Sequence, residues 1–238
     1  MKILAIDSTA VVASVALCDD ERLIALYTVN NGNTHSETLL PMVESILKEA
    51  KLTASDIELF AVSNGPGSFT GVRIGCATVK GLAFGRNVPT AGISTLEALA
   101  YNLKGSDGII CPVMNARRNQ VYNALFRFEN GKLVRLCPDR AIAVKDLAEE
   151  LTSDEAHSSK MIFLCGDGSD MTAPALPAER LGFTHPVMVH QNAYSVAMCA
   201  LQAYKAGNCV TDVDLAPTYL RPSQAERERM EKLEKGGN

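Results

Sequence analysis

The chain has 238 residues, 47% hydrophobic and 21% charged, with a formal net charge of −4. That length accommodates one large domain or two small lobes, and the mild acidity argues against a surface that grips nucleic acid directly, so any part in RNA chemistry is expected to be indirect. No apolar run reaches the ~18 residues of a membrane span, and the opening MKILAID lacks a signal-peptide pattern. The seven cysteines are widely spaced without a CxxC pair, which predicts reduced thiols of a cytoplasmic protein, acting as small hydrophobes.

In chain order, strands are expected at 3–6, 11–17 and 23–29, with Asp7-Ser8-Thr9 turning between the first two. A helix then runs to about 51, opened by Thr34-His35-Ser36-Glu37, which reads as a capping box. His35 is read as structural, since no second histidine lies within helical reach. A strand at 59–64, a helix at 69–84, a short strand at 88–91 and a helix from about 94 complete the first half, in the order βββαβαβα.

The second half has strands at 109–114, 121–128 and 133–136, with Asn130-Gly131 as a hairpin turn. A helix at 144–151, strands at 161–164 and 187–189, and a helix at 192–206 follow. The repeat of element order predicts an α/β fold of two lobes facing each other across a cleft, 1–104 and 105–222, followed by a charged tail at 223–238 read as a solvated helix.

The stretch SNGPGSFTGVR, residues 63–73, links a strand to a helix through three glycines. It is neither GxxxxGK[ST] nor GxGxxG, so as a phosphate-binding signal it is weak. Its plain reading is a turn whose glycines supply unusual backbone angles. Along the helix behind it, Gly71, Gly75, Thr78, Gly81 and Gly85 share a face, and each interior glycine costs roughly 1 kcal/mol relative to alanine. Such a stripe suits the close approach of another backbone.

The preceding helix carries Leu39, Leu40, Met42, Val43, Ile46, Leu47 and Ala50 over an arc of roughly 160°, wider than the usual ~100° stripe. Either both helices are deeply buried, or they carry a docking surface. On the docking reading, the contact residues are Leu39, Leu40, Val43, Ile46 and Leu47 with Val72, Arg73, Cys76, Val79 and Lys80.

The first turn sets an acid and two hydroxyls together. Asp7 in that geometry can orient a hydrated metal, and Ser8 and Thr9 can approach phosphate. With the paired lobes, this is similar to the actin/Hsp70/sugar-kinase class of ATPases, though that class usually carries a glycine inside the turn and this chain does not.

IDSTAVVASVAL, HSETLLP, NGPGSFTGVRIG, ATVKGLAFG, ARRNQVY and PTYLRP, in this order and spacing, closely resemble the TsaB family, over nearly the whole chain. One departure is Asn115 before Ala116-Arg117-Arg118, where the family often has aspartate. The resemblance implies a non-catalytic partner of TsaD in bacterial synthesis of N6-threonylcarbamoyladenosine on tRNA. It also implies a heterodimer with TsaD through the two helices of the first lobe, recruitment of the ATPase TsaE, a homodimer when alone, and tRNA contact only through the complex.

TsaD, itself similar to this chain, has two metal-binding histidines spaced HxxxH after its loop helix. On VPTAGISTLEALAYN those positions fall on Thr95 and Leu99, and the 192–206 helix has no Asp or Glu, so no metal centre is expected. No cofactor is expected to be required, with weak ATP or ADP binding at Asp7, Ser8 and Thr9 or at the TsaD joint as the remaining cofactor expectation. The alternatives are an ATPase or kinase acting alone through Asp7, Ser8 and Thr9, and a peptidase. The peptidase reading has neither HExxH nor GxSxG behind it.

Overall fold

The first strand, β1 (Lys2–Asp7), is buried from Ile3 onward because both faces of its sheet are covered. The computed structural model describes residues 1–221 except 33 and 155–156, so the predicted helix of the charged tail lies outside the described residues. β2 (Ala13–Asp19) and β3 (Arg22–Val29) follow as an antiparallel meander. After α1 (His35–Glu49), β4 (Leu59–Gly65) pairs parallel with β1. After α2 (Phe69–Ala83), β5 (Thr90–Ser94) pairs parallel with β4. The sheet order is β3-β2-β1-β4-β5.

Alternation along β1 divides the layers. Leu4 and Ile6 meet α1 and α2 through Leu39, Val43, Ile46, Val72, Cys76 and Val79. Ile3 and Ala5 meet the helix formed near the end of the chain. Each such fully buried aliphatic contributes about 1.5–3 kcal/mol relative to exposure.

The chain then passes through α3 (Thr95–Tyr101) into β6 (Ile109–Asn115), the centre of a second sheet. β7 (Gln120–Asn123), β8 (Phe126–Glu129), β9 (Lys132–Arg135) and β10 (Arg140–Ala143) precede α4 (Val144–Ser153) and β11 (Ile162–Cys165), which pairs parallel with β6. Two one-turn helices, α5 (Ser169–Thr172) and α6 (Pro186–Val189), lead to α7 (Ala193–Lys205). One face of β6 packs with α4, and the other packs against Leu96 and Leu99 of α3.

The division at 104/105 follows the sheets but not the layers. α7 belongs by sequence to the second half, yet it covers the first sheet with Ala193, Val196, Ala197 and Ala200. Its small buried residues let it fit between that sheet and α3.

Several sequence expectations are corrected. The strand expected at 121–128 is broken at Ala124-Leu125. Its two parts keep one register along β6, and the gap falls opposite Pro112, which has no N–H for the ladder. Asn123 fills the gap, its amide donating to the carbonyls of Pro112 and Ala124 at 3.0 Å each. The strand expected at 187–189 is the helix α6, with Pro186 at its first position, where a missing N–H costs nothing. β10 was not foreseen, because its four residues form a strand only by pairing with β7. Thr34 makes no side-chain cap, so the capping box at α1 is not formed.

α2 has an inner and an outer side with opposite demands on glycine. A Cβ at Gly71 would collide with the Ser8 carbonyl oxygen, and one at Gly75 would lie 2.7 Å from Ser8 Oγ. A Cβ at Gly81 would meet nothing within 4 Å. We therefore expect Gly71→Ala to destabilise the fold by about 1–3 kcal/mol, since backbone must move. Gly81→Ala should stabilise it by about 1 kcal/mol. Urea unfolding of the two variants checks the pair, and equal effects would contradict this account of the helix.

Candidate functional site

The turn after β1 folds back onto the start of α2. Asp7 ends β1 with 1% exposure, and Ser8 and Thr9 are fully buried. Asp7 Oδ1 accepts the Thr9 backbone N–H at 2.9 Å and the Thr9 hydroxyl at 2.7 Å, while Oδ2 accepts the Ser63 hydroxyl at 2.5 Å. Ser8 donates its hydroxyl to the Gly71 carbonyl at 2.9 Å. The Thr9 carbonyl takes the Ser68 N–H at 2.7 Å, and a Cβ at Gly67 would stand 2.5 Å from that oxygen. The three residues expected to face a nucleotide are thus engaged in holding the turn to α2. With no turn glycine and glycines on the helix instead, the turn packs against α2, while Thr9 also lines the cleft that opens beside it.

Burial pushes the Asp7 carboxyl above its ordinary value of 3.8. Hydrogen bonds from Ser63 and Thr9, and the nearby His35, pull the other way. His35 Nε2 lies 2.6 Å from the Ala10 carbonyl, the structural role expected of it.

Beside this turn, a cleft of about 690 Å³ opens between the lobes, lined on the first lobe by Val11, His35, Ser68 and Thr70 and on the second by Asn115, Arg117, Tyr122 and Asp167. The hairpin between β6 and β7 forms its far rim. Arg117, Arg118 and Asn119 all have φ between 53° and 62°, a left-handed run of three non-glycine residues. Asn115 supports it: Oδ1 accepts the Arg117 N–H at 2.8 Å, and the Asn115 N–H donates to Asp167 at 3.2 Å. An aspartate at 115 would accept the Arg117 N–H equally well.

Of the ten expected docking residues, Leu39, Val43, Ile46, Leu47, Val72, Cys76 and Val79 lie in the first-lobe core and offer no surface. The wide apolar arc of α1 reflects that burial. Leu40 is 47% exposed. Arg73 donates to the Tyr219 hydroxyl at 2.7 Å, and Lys80 donates to the carbonyls of Val213 and Leu215 at 2.8 and 2.9 Å. The outward row of α2 is instead Thr70, Arg73, Ala77, Gly81 and Phe84, the last 77% exposed. The 3.6-residue period carried that signal, but the buried and outward faces were not separated.

Chemically reactive groups are sparse. Thr95 and Leu99 are buried between the lobes, and the Thr95 hydroxyl has no hydrogen-bond partner. Among the described residues no group of three His, Cys, Asp or Glu is arranged to hold a metal ion. Ser68 is the N-cap of α2, its oxygen accepting the Gly71 N–H at 3.3 Å. Burial pushes the thiols of Cys18 and Cys111 up to about 12 and that of Cys76 to about 11, which removes the thiolate needed for nucleophilic attack.

The direction of the Asp7 shift fixes a pH dependence. A carboxyl with a raised native pKa contributes stability below its unfolded pKa and loses it as pH rises through the native value. Asp7→Asn lacks that loss. The stability advantage of the wild-type chain over this variant should therefore shrink as pH rises from about 3.5 to 7, read from urea midpoints. An advantage that grows with pH would show a depressed Asp7 pKa instead.

Comparison with known proteins gives this arrangement a lineage. A family model described as TsaD, tRNA N6-adenosine threonylcarbamoyltransferase, matches residues 30–228. The tRNA threonylcarbamoyladenosine biosynthesis protein TsaB of Bacillus subtilis (strain 168) is 38% identical over 151 residues, 63% of this chain and 66% of that protein. The chain thus matches just under two thirds of that curated relative's length. The structure of YeaZ from Pseudomonas aeruginosa superposes with a TM-score of 0.78 at 26% identity, covering 92% of this chain and 99% of that one. Component A of the (R)-2-hydroxyglutaryl-CoA dehydratase of Acidaminococcus fermentans shares the fold, with a TM-score of 0.51 at 11% identity over 86% of this chain and 99% of that one. The architecture is that of the two-lobed actin/Hsp70/sugar-kinase class, and the chain belongs to the family of the TsaD model, with TsaB proteins among its curated relatives.

Proposed function

We propose that this protein is a non-catalytic scaffold that binds and activates TsaD, which forms N6-threonylcarbamoyladenosine at position 37 of tRNAs reading ANN codons. It works in the cytoplasm, recruits TsaE to the assembly, touches tRNA only through the complex and pairs with itself when TsaD is missing. It requires no cofactor, and any weak ATP or ADP binding belongs to the joint with TsaD.

The observation that carries this reading is the outward row of α2. Gly71 and Gly75 are required by the turn beneath them, whereas a Cβ at Gly81 would meet nothing within 4 Å among the described residues, and Ala77 is exposed. Small residues that no internal contact demands, in a row that ends at the exposed Phe84, suit a second helix laid closely alongside. An interface of that kind typically buries about 1,600 Å² in total. Thr95 and Leu99 at the positions of the metal-binding histidines support a subunit without transfer chemistry of its own. The inward-turned Asp7, Ser8 and Thr9 weigh against an ATPase or kinase acting alone.

Coupling of about 1–3 kcal/mol between docking and the competent state of TsaD would change activity five- to 150-fold. The test uses Gly81→Gln and Ala77→Glu, which place side chains in open space. We expect Gly81→Gln to raise the unfolding midpoint slightly and Ala77→Glu to leave it close to the wild type, and both to weaken TsaD binding at least about tenfold in titration calorimetry, roughly 1.4 kcal/mol. Full affinity in a folded double variant would remove α2 from the interface and overturn this reading.

A further inference from the structure

After α7 the chain does not stay with the second lobe. It returns across the first, where Val210 and Thr90 exchange backbone hydrogen bonds at 2.8 and 2.9 Å. Leu215 inserts into the core under α1 and α2. Lys80 holds the carbonyls on either side of Asp214. Asn64 donates its side-chain amide to the Ala216 carbonyl at 3.0 Å and to Thr218 Oγ1 at 3.2 Å, and the Thr218 N–H returns to the Asn64 carbonyl at 2.7 Å. The backbone of β4 is shaped for this crossing. Gly65 has φ +125°, and a Cβ there would collide with the Thr218 carbonyl oxygen.

The next three residues change lobes. The Tyr219 ring stacks on Phe69 with centroids 4.5 Å apart and planes 12° apart, and its hydroxyl receives Arg73 Nε. Leu220 packs against the core shared by α3 and β6. Arg221 Nη1 donates to the Ala116 carbonyl at 3.1 Å, at the foot of the left-handed run 117–119. The back of the molecule is joined through α3 and α7. Beside the cleft, these three residues link Phe69 and Arg73 of α2 to Ala116 at the hairpin.

We propose that residues 209–221 form a clasp that holds the two lobes at a fixed angle, with Tyr219, Leu220 and Arg221 linking the first turn of α2 to the β6–β7 hairpin. The first-lobe half of the clasp is anchored by many bonds and a buried leucine. Among the described residues, the second-lobe half rests on one side-chain hydrogen bond and one partly buried leucine. The clasp therefore releases at Arg221 first. It makes the exposed Arg73 a handle: a group that draws Arg73 away from Tyr219 loosens a contact two residues before Arg221, which binds the hairpin.

Hydrogen exchange of the chain on its own tests this without any partner, so its outcome is independent of the docking reading. Arg221→Ala acts at the hairpin, and Tyr219→Ala removes the contact on the opposite lobe. We expect both to speed exchange of the Ala116 and Gln120 amides about tenfold, the factor one hydrogen bond's net worth allows, while the β11 amides keep their rates. Unchanged hairpin exchange in Tyr219→Ala, or a uniform rise across both lobes, would overturn the clasp.

Discussion

The close approach of the first turn to α2 is the constraint on which the rest depends. Ser8 and Thr9 press their carbonyl oxygens against Gly71 and Gly67, at distances no larger residue permits. That contact is possible only because Asp7, Ser8 and Thr9 satisfy one another, with Ser63 and Gly71, in a space sealed from water. Buried polar groups left unpaired would each cost about 1–3 kcal/mol. Paired in this way, Asp7, Ser8 and Thr9 hold the turn against the start of α2.

The same contact decides what α2 presents outward. With its glycine face fixed on the turn and Val72, Cys76 and Val79 fixed in the core, the helix cannot rotate. Thr70, Arg73, Ala77, Gly81 and Phe84 are left facing solvent in a single row. The first lobe thereby fixes which face of this helix is turned outward. The clasp extends that rigidity to the second lobe, since Arg73 and Phe69 on α2 seat the residue two positions before Arg221.

The first lobe was legible in the sequence because each element has its own local signal. The 3.6-residue pattern bounded the helix expected at 69–84, and the turn residues separated the first three strands. The second sheet was less legible: β10 exists through pairing alone, and the break opposite Pro112 depends on a residue 12 positions earlier. Site residues divided the same way. Asp7, Ser8 and Thr9 read as a polar cluster, but periodicity could not show that Ser8 binds α2 while Thr9 lines the cleft. The seven docking candidates that proved to be core were chosen from an arc too wide to separate inner from outer faces. Ser63, Tyr219 and Arg221 lie in the SNGPGSFTGVR and PTYLRP stretches, but their roles were not legible, since their partners lie 56, 146 and 105 residues away.

The central claim is that this chain acts by holding a catalytic partner. Light scattering after gel filtration, on the protein mixed with TsaD from the same organism, tests it most directly. The account predicts one peak with the summed mass of one copy of each chain. Two peaks at the masses of the separate proteins, at concentrations well above micromolar, would contradict it.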